Sequence, residues 1–137
     1  MWWIFALLSA FFASLTAIFA KQGLSGIDSD LATAVRMIVV VIIAWLITLF
    51  KGNFSELFSL SGHNLLFLAL SGAATGLSWI FYFKALQIGK VSQVAPVDKL
   101  SVVMTIGLSA LILKETITFK VAVGALLILI GALVLIA

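Results

Sequence analysis

Four charged side chains lie within the apolar segments of this 137-residue chain: Arg36, Lys84, Asp98 and Lys99. An ionised group in hydrocarbon is costly unless it is paired or hydrated, so such residues usually face a bundle interior or a water-filled cavity. When the apolar segments are threaded through a bilayer, all four fall toward the same side. We therefore expect them to mark the path of a solute through a membrane.

Polar side chains form two stripes on consecutive apolar segments. One stripe, spaced 3, 4 and 4 residues, consists of Asp98, Ser101, Thr105 and Ser109. The other, spaced 4, 3 and 4 residues, consists of Ser71, Thr75, Ser78 and Tyr82. Each set occupies one helix face at about 100° per residue, and together they can line a wet cavity. The simpler interpretation, favoured for the hydroxyls alone, is that they bond their own helix or a neighbouring one.

Asp98 is the strongest candidate for chemistry. A carboxylate about 10 Å into its helix must pair, protonate or contact water. It could exchange a proton for a cationic substrate, whereas unpaired Arg36, Lys84 or Lys99 would attract an anionic one. The structural alternative is a fixed ion pair that locks two helices together, although buried ion pairs are weak sources of stability.

Aromatic side chains cluster in the third apolar segment. Trp79 and Tyr82 lie there beside two phenylalanines. They could form a wall for a substrate cation, because cations are attracted to aromatic ring faces. A belt of aromatic residues at the membrane interface explains them equally well, so both interpretations stay open.

Composition restricts the class of protein. The chain is 64% hydrophobic and 9% charged, with a mean hydropathy of +1.34, whereas soluble domains are about 25% charged. Zero cysteines exclude disulfides and thiol chemistry. His63 is the single histidine, and without a ligand cluster at metal spacing we predict no metal, no cofactor and no enzymatic activity. The net charge of +3 is scattered, which favours the lipid bilayer over nucleic acid as a partner.

The apolar segments predict an all-α, polytopic membrane protein with five transmembrane helices in one domain, residues 1–137. A span needs about 20 apolar residues, and the expected helices cover about 2–20, 31–50, 64–85, 91–113 and 119–137. Asp28 is expected to help cap the second helix, and residues 54–60 to form a short interfacial turn. Pro96 is the expected hinge of the fourth helix, because it lacks an amide donor. We expect the first helix to be retained, since no basic residue precedes it.

Glycines mark helix faces suited to close packing. Gly72 and Gly76 form a GxxxG pattern, and Gly124 and Gly131 lie seven residues apart in the last apolar segment. Small residues let two helix backbones approach closely. The pattern fits packing within the chain at least as well as a dimer contact.

Loop lysines are divided evenly between the two sides of the membrane. The N-terminal side receives Lys51, Lys114 and Lys120. The opposite side receives Lys21, Lys84 and Lys90. With so little positive-inside bias, the chain is predicted to insert in either orientation. Two oppositely oriented copies would form an antiparallel homodimer that reproduces the inverted repeat of many transporters.

Three short motifs resemble one known family. They are Tyr82-x-x-Ala85-Leu86, Val94-Ala95-Pro96 and Leu113-Lys114-Glu115. The chain resembles the EamA domain of the drug/metabolite transporter superfamily over essentially its whole length, as one five-helix unit. The resemblance implies a secondary transporter, either exporter or exchanger, of a small polar or charged metabolite or drug. It further implies a bacterial or archaeal inner membrane and a helix-end role for Glu115, and it names no ligand.

Two other functions remain open. A non-transporting scaffold or accessory subunit would use the glycine faces to bind another protein, and a lipid-linked sugar flippase component is the third possibility. In the transporter interpretation Asp98 is the ion-coupling or substrate-pairing group. Its charge partners, or an anion clamp, would be Arg36, Lys84 and Lys99. Further contacts with the substrate would come from Ser78, Trp79, Tyr82, Ser101 and Thr105.

Overall fold

Six α-helices and one 3-10 helix make up the computed structural model, which describes residues 1–136 and gives Asn53 by its backbone alone. The helices are α1 (Trp2–Gly23), α2 (Ser29–Phe50), the 3-10 helix (Asn53–Ser59), α3 (Gly62–Ile88), α4 (Val91–Asp98), α5 (Leu100–Ile112) and α6 (Phe119–Ile136). With α4 and α5 counted as one span, five helical spans are long and apolar enough to cross a bilayer. No strand occurs among these described residues. The prediction of an all-α polytopic fold is confirmed.

Several helices extend beyond their expected ends. α1 continues to Gly23, because Lys and Gln are good helix formers and do not stop a helix. α3 begins at Gly62 and ends at Ile88. At its start, the Ser61 hydroxyl oxygen accepts a hydrogen bond from the Asn64 N–H at 3.2 Å. The expected end of the last helix, at Ala137, lies outside the described residues.

Asp28 caps α2, as its position predicts. Its Oδ1 accepts hydrogen bonds from the backbone N–H groups of Asp30 at 2.9 Å and Leu31 at 3.1 Å. N–H groups in the first turn have no partner inside the helix, so this carboxylate satisfies two of them. The cap starts α2 at Ser29, two residues earlier than expected. It thereby sets the depth of every residue that follows in this helix.

The fourth span is interrupted at Lys99, which corrects the expectation of a single helix over 91–113. α4 ends at Asp98 and α5 begins at Leu100. The Lys99 N–H contacts the Pro96 carbonyl at 3.1 Å, the tighter bonding of a 3-10 turn. Pro96 lies three residues before the interruption, and its ring and missing N–H weaken helical bonding nearby. A hinge role for Pro96 stays a prediction.

Close contacts divide the chain into two compact units. The first unit consists of Met1–Phe19 and the chain from Ile88 onward, and the second consists of Ala20–Gln87. In the first unit α6 packs against both α4 and α5, and Ala17 and Ala132 are buried. The prediction of a single membrane domain stays a prediction.

In the second unit the 3-10 helix packs against the end of α2. The Trp45 and Phe54 ring centroids are 5.8 Å apart, and those of Phe54 and Phe58 are 6.1 Å apart. Beside these rings lies an open, mainly apolar cavity of about 320 Å³ that Glu56 also lines. The expected short helical turn after α2 is confirmed.

The other end of the second unit holds its buried apolar residues. Leu24, Phe83 and Leu86 are 5%, 2% and 0% exposed, whereas most large apolar side chains elsewhere in the described chain are exposed. Exposed apolar faces are expected of helices whose solvent is lipid. The packed end of this unit therefore lies where α1 and α3 finish and α2 starts.

Candidate functional site

One face of α2 carries small polar residues and then a cation. Ser29, Thr33 and Arg36 follow each other at spacings of four and three residues, so they lie on the same face. Ser29 and Thr33 are buried, and the Thr33 hydroxyl donates a hydrogen bond to the Ser29 carbonyl at 2.8 Å. At a rise of 1.5 Å per residue, Arg36 lies about 10 Å from the start of α2. Its head group is thus inside the span.

One face of α3 presents aromatic and apolar side chains at the same spacing. Trp79, Phe83 and Leu86 are four and three residues apart, and the last two are almost fully buried. The Trp79 ring meets the Phe83 ring edge to face, with centroids 5.9 Å apart. Tyr82 packs edge to face on Trp79 at 5.6 Å. These mutual contacts fix the orientation of the indole.

Arg36 reaches from α2 to the aromatic cluster on α3. Its Cζ lies 3.3 Å from the centroid of the Trp79 ring and 5.5 Å from that of Phe83. A guanidinium over an indole is a cation–π contact that contributes about 0.5–1 kcal/mol at exposed sites and about 2 kcal/mol when desolvated. The sequence named Arg36 and Trp79 separately as candidates, and the structure brings them together.

One nitrogen of the stacked Arg36 guanidinium lacks a hydrogen-bond partner. Its Nη1 is enclosed and has no hydrogen-bond partner among the described residues. Leaving a buried donor without an acceptor costs about 1–3 kcal/mol, and more when the donor is charged. Stacking on a ring does not replace that hydrogen bond, because the N–H groups of a guanidinium lie in its own plane. Arg36 is therefore held in place but keeps an unused donor.

Two hydrogen bonds join the end of α3 to the end of α1 and to the α1–α2 connection. The Lys21 Nζ donates to the Leu86 carbonyl at 2.5 Å, and the Gln87 Nε2 donates to the Ile27 carbonyl at 3.0 Å. The last carbonyls of a helix lack internal partners and carry partial negative charge, so they attract a cation. By sequence, Lys21 is expected to be only a loop charge. The sequence signal for this contact is a lysine in the last turn of a helix.

Asp98 pairs with its neighbour in the first unit. The Lys99 Nζ lies 3.4 Å from Asp98 Oδ2, and the two side chains are 58% and 35% exposed. Exposed ion pairs contribute little, about 0–1 kcal/mol, because solvent screens them. Of the partners proposed from sequence, Lys99 is the one shown here, and the pair lies at the junction of α4 and α5.

Three hydroxyls of the polar stripes donate hydrogen bonds to their own helices. Thr75 donates to the Ser71 carbonyl at 2.8 Å, and Thr105 donates to the Ser101 carbonyl at 2.8 Å. The Ser109 hydroxyl donates to the carbonyl of the residue three positions earlier at 3.0 Å. These contacts fit the simpler interpretation, in which a hydroxyl in a membrane helix donates a hydrogen bond to a backbone carbonyl of its own helix.

The other predicted site residues lie on open faces of the described chain. Ser78, Lys84 and Ser101 are exposed, and Tyr82 is half-buried. A Cβ added to any of the four packing glycines would meet no atom within 4 Å: Gly72, Gly76, Gly124 and Gly131. Packing at these glycines within the described chain is therefore not observed. The described residues also contain no group of three or more potential metal-ligating side chains.

A known protein resembles this chain over nearly its whole length. The chain is 45% identical over 134 residues to a protein of a Sinorhizobium species named "Uncharacterized transporter in cobO 3'region", covering 98% of this chain and 95% of that protein. No solved structure gives a significant match. Residues 1–137 match the EamA-like transporter family. The resemblance stated from the three motifs is thereby confirmed, and the chain belongs to the EamA-like transporter family.

Proposed function

We propose that this integral, multi-pass membrane protein is a secondary transporter of a small polar or charged metabolite or drug, working as an exporter or exchanger by alternating access. The observation that carries the proposal is the environment of Arg36. This cation lies about 10 Å inside a span, and its contacts are with aromatic rings. Charged groups kept inside membrane spans mark solute or ion pathways. Its family supports transport as the class of activity. A bacterial or archaeal inner membrane is the location we propose.

Asp98 is proposed as the ion-coupling or substrate-pairing group. Its carboxylate is partly exposed and contacts an exposed lysine at the long distance of 3.4 Å. Such a weak pair leaves the carboxylate able to exchange Lys99 for a proton or a substrate. Lys84, exposed on α3, is proposed as a further charged contact along the same path.

An antiparallel homodimer is the proposed working form. The faces around Gly72 and Gly76 are open in the described chain, and small-residue faces are suited to a second helix. The even division of loop lysines permits both orientations. If two inverted copies adopt different conformations, exchanging those conformations converts an inward-open pore into an outward-open one at equal energy.

Reconstitution tests the transport proposal. Purified protein in proteoliposomes is expected to move a solute without any other subunit, and Asp98→Asn is expected to abolish ion coupling while the protein remains folded. Asp30→Asn is the matched control, because Asp30 is exposed in the first turn of α2. Equal coupling by Asp98→Asn and the control would remove the role of Asp98. Complete absence of transport would favour the accessory-subunit alternative.

Crosslinking in bilayers tests the dimer. Gly76→Leu places a large side chain on the open α3 face and is expected to lower the dimer fraction. Ala74→Leu places the same leucine side chain about 200° around the helix from Gly76 and is the matched control. A dimer fraction that falls equally in both variants, or in neither, would place the interface elsewhere.

A further inference from the structure

We propose that the group recognised at Arg36 is the oxyanion of a small metabolite, a carboxylate or phosphate, and not a cation. The inference rests on the proposed transport function and makes the chemistry of that site more specific. It also chooses between the two substrate classes that the sequence alone leaves open.

Trp79 is already occupied by a positive charge. The Arg36 Cζ is 3.3 Å from the indole centroid, so no substrate cation can use this face of the ring. A substrate cation on the rest of the cluster would also be repelled by the guanidinium, because like charges interact strongly where water is scarce. The aromatic wall expected from Trp79 and Tyr82 is therefore part of the support for Arg36.

The guanidinium keeps hydrogen-bond donors for an acceptor ligand. Stacking uses its face, and the in-plane N–H groups form the fork that fits carboxylate and phosphate oxygens. Nη1 is enclosed and has no acceptor among the described residues, so an oxyanion reaches it only when the side chains around it move. On the same face of α2, the Thr33 hydroxyl already donates its hydrogen to Ser29. Arg36 is thus the donor on this face that an oxyanion can use.

The acidic side chains of this unit leave the charge of Arg36 uncompensated. Asp28 accepts hydrogen bonds from N–H groups at the start of α2, and Asp30 is exposed about 1.7 turns before Arg36. Glu56 lies in the 3-10 helix after α2. None of these described carboxylates pairs with Arg36. A positive charge that has an aromatic support and no carboxylate partner among the described residues of its unit attracts an anion.

Fluorescence of Trp79 provides a direct binding test. A parent protein with the other three tryptophans changed to Phe (Trp2, Trp3 and Trp45) keeps Trp79 as its one indole. In lipid nanodiscs this parent is titrated separately with glutarate, inorganic phosphate and tetraethylammonium. We expect a saturable change with at least one anion and none with tetraethylammonium. No response to either anion, or a tetraethylammonium response that survives Arg36→Gln, would overturn the proposal.

Variants in the same parent separate recognition from general effects. Arg36→Gln is expected to weaken anion affinity by about tenfold or more, since it removes a charged donor pair. Arg36→Lys keeps the charge but loses the fork, so a smaller loss is expected, and it replaces Arg36→Gln if that variant does not fold. Lys120→Gln removes one exposed positive charge elsewhere and is expected to leave affinity within about twofold. Equal loss in Arg36→Gln and Lys120→Gln would contradict a local site.

Counterflow in proteoliposomes distinguishes this inference from the transport proposal beneath it. Binding of an anion that is never moved across the membrane would defeat transport and leave the anion site standing. Movement of tetraethylammonium, but of neither anion, would support transport and defeat the anion site. Movement of an anion that is lost in Arg36→Gln and kept in Lys120→Gln would support both.

Discussion

The guanidinium of Arg36 on α2 lies over the indole of Trp79 on α3, with its Cζ 3.3 Å from the ring centroid. This contact joins two helices through a charged group inside the span. It converts a lone intramembrane cation, which would be costly in lipid, into one with an aromatic support. The residue proposed to bind the anion therefore also contributes to the free energy of unfolding of the second unit, which can be measured.

A double-mutant cycle measures that link. Arg36→Gln and Trp79→Leu are expected to show a coupling free energy of about 0.5–2 kcal/mol, because each single change removes the same cation–π contact. The measurement is the free energy of unfolding by SDS titration in mixed micelles. Arg36→Gln combined with Phe67→Leu is the control cycle, since Phe67 packs on His63, and it should be additive within about 0.5 kcal/mol. Equal coupling in both cycles would contradict the contact.

Lys21 is expected to stabilise the end of α3. Lys21→Met keeps an unbranched chain but removes the charged donor to the Leu86 carbonyl. Loss of a hydrogen bond to a charged group costs about 1.5–3 kcal/mol. Lys51→Met, at an exposed lysine after α2, is expected to change the free energy of unfolding by less than about 0.5 kcal/mol. Similar values for the two variants would show that the Lys21 contact adds no stability.

The Asp28 cap is expected to stabilise the start of α2. Asp28→Ala leaves the N–H groups of Asp30 and Leu31 without their acceptor, which costs about 0.5–2 kcal/mol. Asp28→Asn retains a side-chain oxygen, so its free energy of unfolding should stay near that of the parent. Loss of the same size in both variants would mean that the carboxylate charge, and not the hydrogen-bond geometry, is what matters.

Cysteine labelling tests the predicted dual orientation. The chain has no cysteine, so Lys51→Cys and Lys90→Cys each introduce one reactive thiol, on the connections before and after α3. In intact cells, an impermeant maleimide is expected to label a substantial fraction of each variant, because evenly divided lysines give little orientation bias. The remainder should react after the membrane is opened. Full labelling of one variant and none of the other would establish a single orientation and defeat the antiparallel dimer.

The helices themselves were predictable because their signals are local. Runs of about 20 apolar residues are enough to specify a span, and an aspartate before such a run is enough to specify a cap. Asp28 confirmed this at the start of α2. The interruption at Lys99 is harder to predict from sequence, because a proline weakens several nearby hydrogen bonds and does not determine which residue leaves the helix.

The hydroxyl stripes show where spacing alone was ambiguous. Thr75 and Thr105 lie on the faces that their spacing predicts, yet both donate to their own helix. A hydroxyl in a helix can always reach the carbonyl one turn earlier. Its spacing therefore cannot distinguish a cavity-lining group from a self-satisfied one.

Sequence patterns were sufficient to establish five apolar spans and the charged residues inside them. They left Arg36 with several possible partners, among them Asp98 and a substrate anion. Folding decided that its nearest aromatic partner is Trp79 and that its Nη1 has no acceptor in the described chain. The physical reason is that rotation and depth of one helix against another follow from many weak packing contacts between distant residues. No local pattern on either helix contains that information.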